Sequence, residues 1–552
     1  MPVTTDGQGQ ALEAPELPTH PRKRRMASLL IFLASCLVYL NTLHNGLVYD
    51  DIQIIRGNPV MEDPWDVTGI FGGIYRLGST SVGINYRPLT VWSLALNYRF
   101  NQVMGRPGDD PALYHLVNLL LHAVTACLFY RLLLLLNIPS WPSCAASLLF
   151  AVHPLLTEAV AGVVGRAEIF AALFGLWFVI FHLQKRHPLA CALALLFSVW
   201  GKESGLTFLG LAFAADVLFF PWDRKRSLRS YGAYAALLAV WLWVRSLALE
   251  GHPVFWAFVD NPMPGDFLSP ERLFTCARIH LHYLRMYLVP VGLSSDYSYN
   301  QVPVIWDPAN PYVLGAAALL SAAGVTAWKA RKFHRVIPFA VLGYMILFSV
   351  TSNILFRIGS TAERFLYSPS LMMCLLLAYG AWLLRRRWGR AVDVAGVAVL
   401  AAFGFLTGAR NETWRTEMSF YQEQVRSAPG SAKAYYNRGT QYAKEGHDRE
   451  AVADYEKALE IFPLYSEPYY NLGNALSRLN ADPEKIIEAY RGAIHGDPGH
   501  INARNNLALL LIKLGRRAEA APLVDELERI DPGNPNLPSL RMGLRGQGQK
   551  KQ

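Results

Sequence analysis

The run ASLLIFLASCLVYLNTL (27–43) leads into Gly46-Leu47-Val48-Tyr49-Asp50-Asp51, and the reading of this stretch decides the architecture. Its first part is apolar and long enough to reach across most of a hydrocarbon layer. Two adjacent carboxylates then stand where the chain would leave that layer. Charge there is costly unless it is paired, hydrated or functional. Just upstream, Arg22-Lys23-Arg24-Arg25 forms a basic cluster that would hold the N-terminus in the cytoplasm. The run lacks a small-residue cleavage site, so it reads as a retained anchor. Residues 1–26 are expected to be a disordered cytoplasmic segment, being polar and Pro/Gly-bearing over most of their length.

Downstream, the chain stays polar to about Pro111, apart from a segment between Leu89 and Phe100 whose apolar residues share one helical face. That segment suits a helix lying flat on the membrane. Apolar runs follow at about 114–136, 141–156, 167–183, 188–200, 204–220, 229–248, 311–328, 336–355, 366–384 and 391–408. Basic clusters lie at 184–187, 224–226, 329–335 and 385–390. If all are cytoplasmic, the spans alternate consistently, with about eleven crossings over a domain at 27–410. Residues 275–292 carry Arg278, His280, His282 and Arg285, and read as a re-entrant or surface helix. Several runs are shorter than a usual span, so neighbouring turns would dip into a protein-lined cavity.

The pattern changes near Met418. Pro429, Pro463, Pro498 and Pro532 are spaced by 34, 35 and 34 residues, and Gly439 and Gly473 by 34. Tyr435-Tyr436 is echoed by Tyr469-Tyr470. This period marks a tetratricopeptide array of about three repeats plus a half repeat, over 418–535. Asn437, Asn471 and Asn506 are the candidate groove residues for a partner. The basic stretch 536–552 reads as a disordered tail. The expected fold class is therefore all-α, a polytopic membrane domain followed by an α-solenoid.

The net charge of +10 is gathered in short clusters between apolar runs, a topology signal and no footprint for nucleic acid. The six cysteines form no C-x-x-C pair and read as small core residues. Charged turns recur at the span ends on the side of Asp50. They include His153-Pro-Leu-Leu-Thr-Glu158, Gly165-Arg166-Ala167-Glu168, Lys202-Glu203 and Glu363-Arg364. Each alone has an ordinary reading, as an interhelical pair or a snorkelling side chain. Together, on one side, they suggest a site. Asp260-Asn261-Pro262 and Asp296-Tyr297-Ser298 would line it or serve as plain turn formers. Asn411-Glu412-Thr413 matches a glycosylation acceptor and is read as chance.

In this order, V-Y-D-D, N-Y-R-P-L, H-P-L-x-T-E-A-V, G-R-A-E, G-K-E-S and A-E-R-x-L-Y-x-P ahead of tetratricopeptide repeats resemble the transmembrane and tetratricopeptide-repeat O-mannosyltransferases. More broadly, the chain resembles GT-C glycosyltransferases. The likeness runs from about Ala27 to Pro532, and the short array suggests a bacterial-type member. The resemblance implies a polyprenyl- or dolichyl-phosphate sugar donor, with mannose the expected sugar. An acceptor Ser/Thr hydroxyl of a protein would attack in line on the outer face. It places the catalytic role on Asp50 and Asp51, with Asp50 as base and Asp51 as support. Arg364, Arg166, Lys202 and Arg87 would bind the donor phosphate. Glu158, Glu168, Glu203, Glu363 and His153 would orient them. The carboxylates would suit Mg²⁺ or Mn²⁺, though no ligand spacing demands a metal. The repeats would recruit the acceptor or a partner. A bacterial inner membrane with periplasmic repeats is the expected location, with the endoplasmic reticulum as the alternative. Two other functions stay open: a transferase with a lipid or polysaccharide acceptor, and a non-enzymatic scaffold for envelope complexes.

Overall fold

A computed structural model describes residues 21–72, 75–76, 84–221, 224–249, 257–263, 268–356, 359 and 361–545. Within these the regular secondary structure is helical, apart from one pair of two-residue strands, with Tyr75 opposite Asn85 and Arg76 opposite Ile84. Residues 1–20, the Arg224, Lys225 and Arg226 side chains of one basic cluster, Ser360 and the residues after Arg545 lie outside the described set. The anchor helix begins at Pro21, so it includes the basic cluster expected to be disordered.

Every apolar run of the sequence is a helix. Many of these begin by one local rule, a polar cap followed by proline. Asp110, His187, Ser269 and Asn310 each accept a backbone N–H of the first turn, and Pro111, Pro188, Pro270 and Pro311 follow them. Proline suits that place because the missing N–H would have no intrahelical partner. Seven described helices are long and apolar enough to cross a membrane, or eight if Ser140–Val152 and Pro154–Ala161, bent by 50°, form one broken span. Pro188–Gly201 and Val336–Thr351 are apolar but shorter. Large side chains left bare, such as Leu37 at 74% and Phe405 at 76% exposure, face the surroundings as lipid-exposed residues do. The chain is a multi-pass membrane protein.

One helix differs from its sequence reading. Pro88–Val103 turns Val91, Leu94 and Ala95 into a core with Ile54, Met61, Ile70 and Tyr114, so its apolar face meets protein. Pro270–Leu288 is amphipathic, and its buried stripe includes Cys276, Ile279, Tyr283 and Tyr287. Tyr283 Oη donates to the Ala362 carbonyl at 3.2 Å and accepts the Ala362 N–H at 3.1 Å. This helix thus fixes the backbone just ahead of Glu363-Arg364.

The second compact unit holds residues from Tyr421 onward together with Phe258–Asp260 and Asp296–Pro303. Helix pairs Ala432–Lys444/Asp448–Ile461, Ser466–Arg478/Pro483–Gly496 and Ile501–Lys513/Arg517–Ile530 form three repeats. Small residues stand where the paired helices cross. A Cβ on Gly473 would lie 2.6 Å from the Tyr490 ring, so only glycine admits that approach. The tail expected to be disordered from 536 instead forms the helix Leu537–Arg545. Leu537 and Leu540 close the open apolar end of the last repeat, which a solenoid must cover. Asp260 and Asp296, read as turn formers or site-lining residues, belong to this unit. Asp260 pairs with Lys433 at 2.5 Å, and Tyr299 packs on Phe462.

Candidate active site

The site is built where the anchor helix ends. Asn45 Nδ2 donates to the Asn411 carbonyl at 2.9 Å, and the Gly46 N–H donates to the Arg415 carbonyl at 3.0 Å. Asn411 itself is fully buried, its amide donating to Val38 O and Asn41 Oδ1. Its side chain is committed to packing, in line with the chance reading of the glycosylation match. Tyr49 then takes φ +55° and ψ −121°, an unfavourable conformation for a non-glycine residue, and a short helix starts at Asp50. Strain of this kind persists only where its surroundings hold it.

The two acids face different ways. Asp51 is buried, and its oxygens accept the Val163 N–H at 3.1 Å and the Val164 N–H at 2.9 Å. Burial pushes its carboxyl up to about 7, opposed by those N–H bonds. Asp51 therefore pins the turn Gly162–Gly165. That turn is tight: a Cβ on Gly165 would sit 2.3 Å from the Ala159 carbonyl. Asp50 points the other way. Its side chain is 22% exposed, and its Oδ2 accepts from Arg364 Nη1 at 3.3 Å.

Glu158 completes the cluster. It stands on the short helix Thr157–Ala161, after the bend that follows His153. Its Oε2 accepts the Arg364 backbone N–H at 2.7 Å, and Oε1 lies 3.2 Å from Arg364 Nη1. Asp50, Asp51, Glu158, Arg364 and Trp414 line a recess of about 10 Å³, room for about one water. A carboxylate with solvent access, facing a guanidinium in a small sheltered recess, can take a proton beside a bound anion.

The other predicted cations are placed differently. Arg166 is fully buried. Its guanidinium donates to Asn118 Oδ1 at 2.8 Å, Asn97 Oδ1 at 2.5 Å and the Tyr114 carbonyl at 3.0 Å. It ties three helices together and does not reach the recess. Lys202 is buried on Glu168, over the Phe365 ring whose other neighbour is Arg364. Arg87 pairs with Glu203 at 3.2 Å. Glu363 is fully buried and pairs with Arg410 at 2.7 Å. His153 accepts the Leu155 N–H and packs on Phe403. Among the described residues no group of three or more His, Cys, Asp or Glu is placed to hold a metal ion. In the repeats, Asn471 reaches Tyr436 Oη at 3.5 Å and Asn506 reaches Asn474 Oδ1 at 3.0 Å, so both amides already have neighbours. The Asn437 amide nitrogen is buried without a partner among the described residues. Arg410 and Trp414 escaped the sequence reading. Their only signal was a polar Arg-Asn-Glu-Thr-Trp run closing the last apolar stretch.

Arg166 yields a stability prediction. Arg166→Leu would take the guanidinium donor from the buried Asn97 and Asn118 side-chain oxygens, costing about 3–5 kcal/mol. The expected outcome is a markedly lower melting temperature in detergent, with little protein recovered in the folded form. Unchanged melting would contradict the role assigned here.

Tetratricopeptide family models match residues 432–464, 454–488 and 480–541. Relatives with similar sequences include the protein O-mannosyl-transferase F38B6.6 of Caenorhabditis elegans, 30% identical over 81% of this chain and 64% of its own. The human protein O-mannosyl-transferase TMTC1 is 30% identical over 81% of this chain and 56% of its own. Tmtc3 of Drosophila melanogaster, also named a protein O-mannosyl-transferase, is 29% identical over 91% and 64%. The chain thus spans less than two thirds of the length of these relatives. Over most of its own length the chain is thus similar in sequence to proteins named protein O-mannosyl-transferases.

Proposed function

We propose that the protein is an inverting glycosyltransferase that moves a sugar, with mannose the first candidate, from a polyprenyl- or dolichyl-phosphate to Ser/Thr hydroxyls of proteins. The observation that carries this is the Asp50–Arg364–Glu158 cluster: one solvent-reaching carboxylate beside a cation held from behind. The names of the relatives supply the sugar and the protein acceptor as hypotheses.

In this reading Asp50 takes the proton of the acceptor hydroxyl. The oxygen bonds to the anomeric carbon as the bond from that carbon to the phosphate oxygen breaks. The lipid phosphate departs with the electron pair, and Arg364 faces the charge that develops on it. No general acid is needed, because phosphate already leaves well. Asp51 holds the Gly162–Gly165 turn that walls the recess. Lys202 and Arg166 act at a remove, through Glu168 and through the packing of the helices. The chain leaves its last apolar helix close to the acid pair and runs into the repeats. They would then lie on the periplasmic or lumenal side and present acceptor polypeptide, with Asn437, Asn471 and Asn506 as groove candidates.

Direct displacement has a stereochemical signature. Given a labelled polyprenyl-phosphate mannose of known anomeric configuration, the product should be a glycopeptide with the opposite configuration at that carbon, as read by NMR. A retained configuration would contradict the single displacement. Label found only in lipid would contradict the protein acceptor.

A further inference from the structure

Arg364 is held by two acids of unequal firmness. Glu158 is only 2% exposed, and its Oε2 fixes the Arg364 backbone at 2.7 Å. Glu158 Oε1 lies 3.2 Å from Nη1, yet it is sealed from solvent and makes no aligned hydrogen bond. Asp50 Oδ2 accepts from the same Nη1 at 3.3 Å, and the Asp50 side chain keeps 22% exposure. One nitrogen thus serves both acids, while the Nε and Nη2 edge of Arg364 bonds to neither, and the side chain is 30% exposed. A guanidinium offers five donors in a planar fork, and its free edge matches two oxygens of a phosphate. A buried acceptor without a hydrogen bond is unfavourable, so Glu158 Oε1 would gain a bond if the guanidinium swung a little from Asp50.

We propose that Arg364 is a shuttle between two anions. It covers the Asp50 carboxylate, as in the structure, until the phosphate of the lipid donor takes its free edge and draws it toward Glu158. The base is then bare for the acceptor hydroxyl. Glu158 is the positioning residue: it touches no substrate and keeps Arg364 in place through the exchange. The order of events follows. The donor binds first and the acceptor second, and no uncovered base stands ready beforehand. This rests on the reading of the site as a lipid-phosphate sugar transferase.

The test is a double-mutant cycle on binding, using the full chain in detergent and sugar-free polyprenyl phosphate as the probe, followed by calorimetry. The proteins are wild type, Asp50→Asn, Arg364→Gln and the double variant. If Asp50 competes with phosphate for Arg364, Asp50→Asn should tighten binding by roughly 3- to 10-fold in the Arg364 background and leave it unchanged in the Arg364→Gln background. An equal gain in both backgrounds would mean simple charge repulsion and would overturn the shuttle, as would no gain in either. Should Asp50→Asn melt abnormally, Asp50→Ser replaces it in the same cycle. The two readings fail separately. Coupling without any sugar transfer would remove the enzymatic reading alone, and transfer without coupling would remove the shuttle alone.

Discussion

Asp50→Asn is expected to lower sugar transfer by about 10²- to 10⁴-fold, the usual worth of a positioned general base. The change keeps the shape of the side chain and removes its ability to take a proton. Asp50 is 22% exposed on its side chain and holds no backbone turn, so folding should survive. Thermal melting close to wild type, with transfer lost, is the result to look for. Asp51→Asn should behave differently. Its oxygens carry the Val163 and Val164 N–H groups, and an amide offers only one acceptor oxygen. There the melting temperature should fall together with activity, because the turn that walls the recess loses a bond.

Arg364→Gln has the second large effect. Removing one preorganised donor to a developing charge typically costs about 10²- to 10³-fold in rate. Arg364 faces the recess directly, whereas Lys202 sits behind Phe365 and Arg166 is enclosed by its own amide partners. Arg364→Gln should therefore reduce transfer far more than Arg87→Gln, whose pairing with Glu203 lies outside the recess. Initial rates across donor concentrations would show this as a fall in kcat with a rise in donor KM. Equal losses at Arg87 and Arg364 would contradict the placement of the phosphate.

Much of this was legible in the amino-acid order, for physical reasons that differ by element. The repeats announce themselves because each helix crossing needs a small residue at the same place, and Gly439 and Gly473 meet Tyr455 and Tyr490 in the same way. The apolar runs became helices because a membrane leaves the backbone few other ways to satisfy its hydrogen bonds. The charged turns were legible only as a group. Arg364, Arg166 and Lys202 look alike as basic residues at span ends. Only tertiary packing gives Arg166 its ring of amides and leaves Arg364 an open edge. The 536–552 tail misled because its basic composition hid Leu537 and Leu540, which cover the end of the array. The pairing of Glu363 with Arg410 was also hidden, since an arginine closing an apolar run reads as an ordinary interface anchor.

The most direct test of the central claim is sugar transfer in membranes carrying wild type beside membranes carrying Asp50→Asn, with radiolabelled polyprenyl-phosphate mannose as donor. The account predicts label in a protein fraction with wild type and its loss with Asp50→Asn, both proteins being present in equal folded amounts. Equal protein labelling by the two would contradict the account.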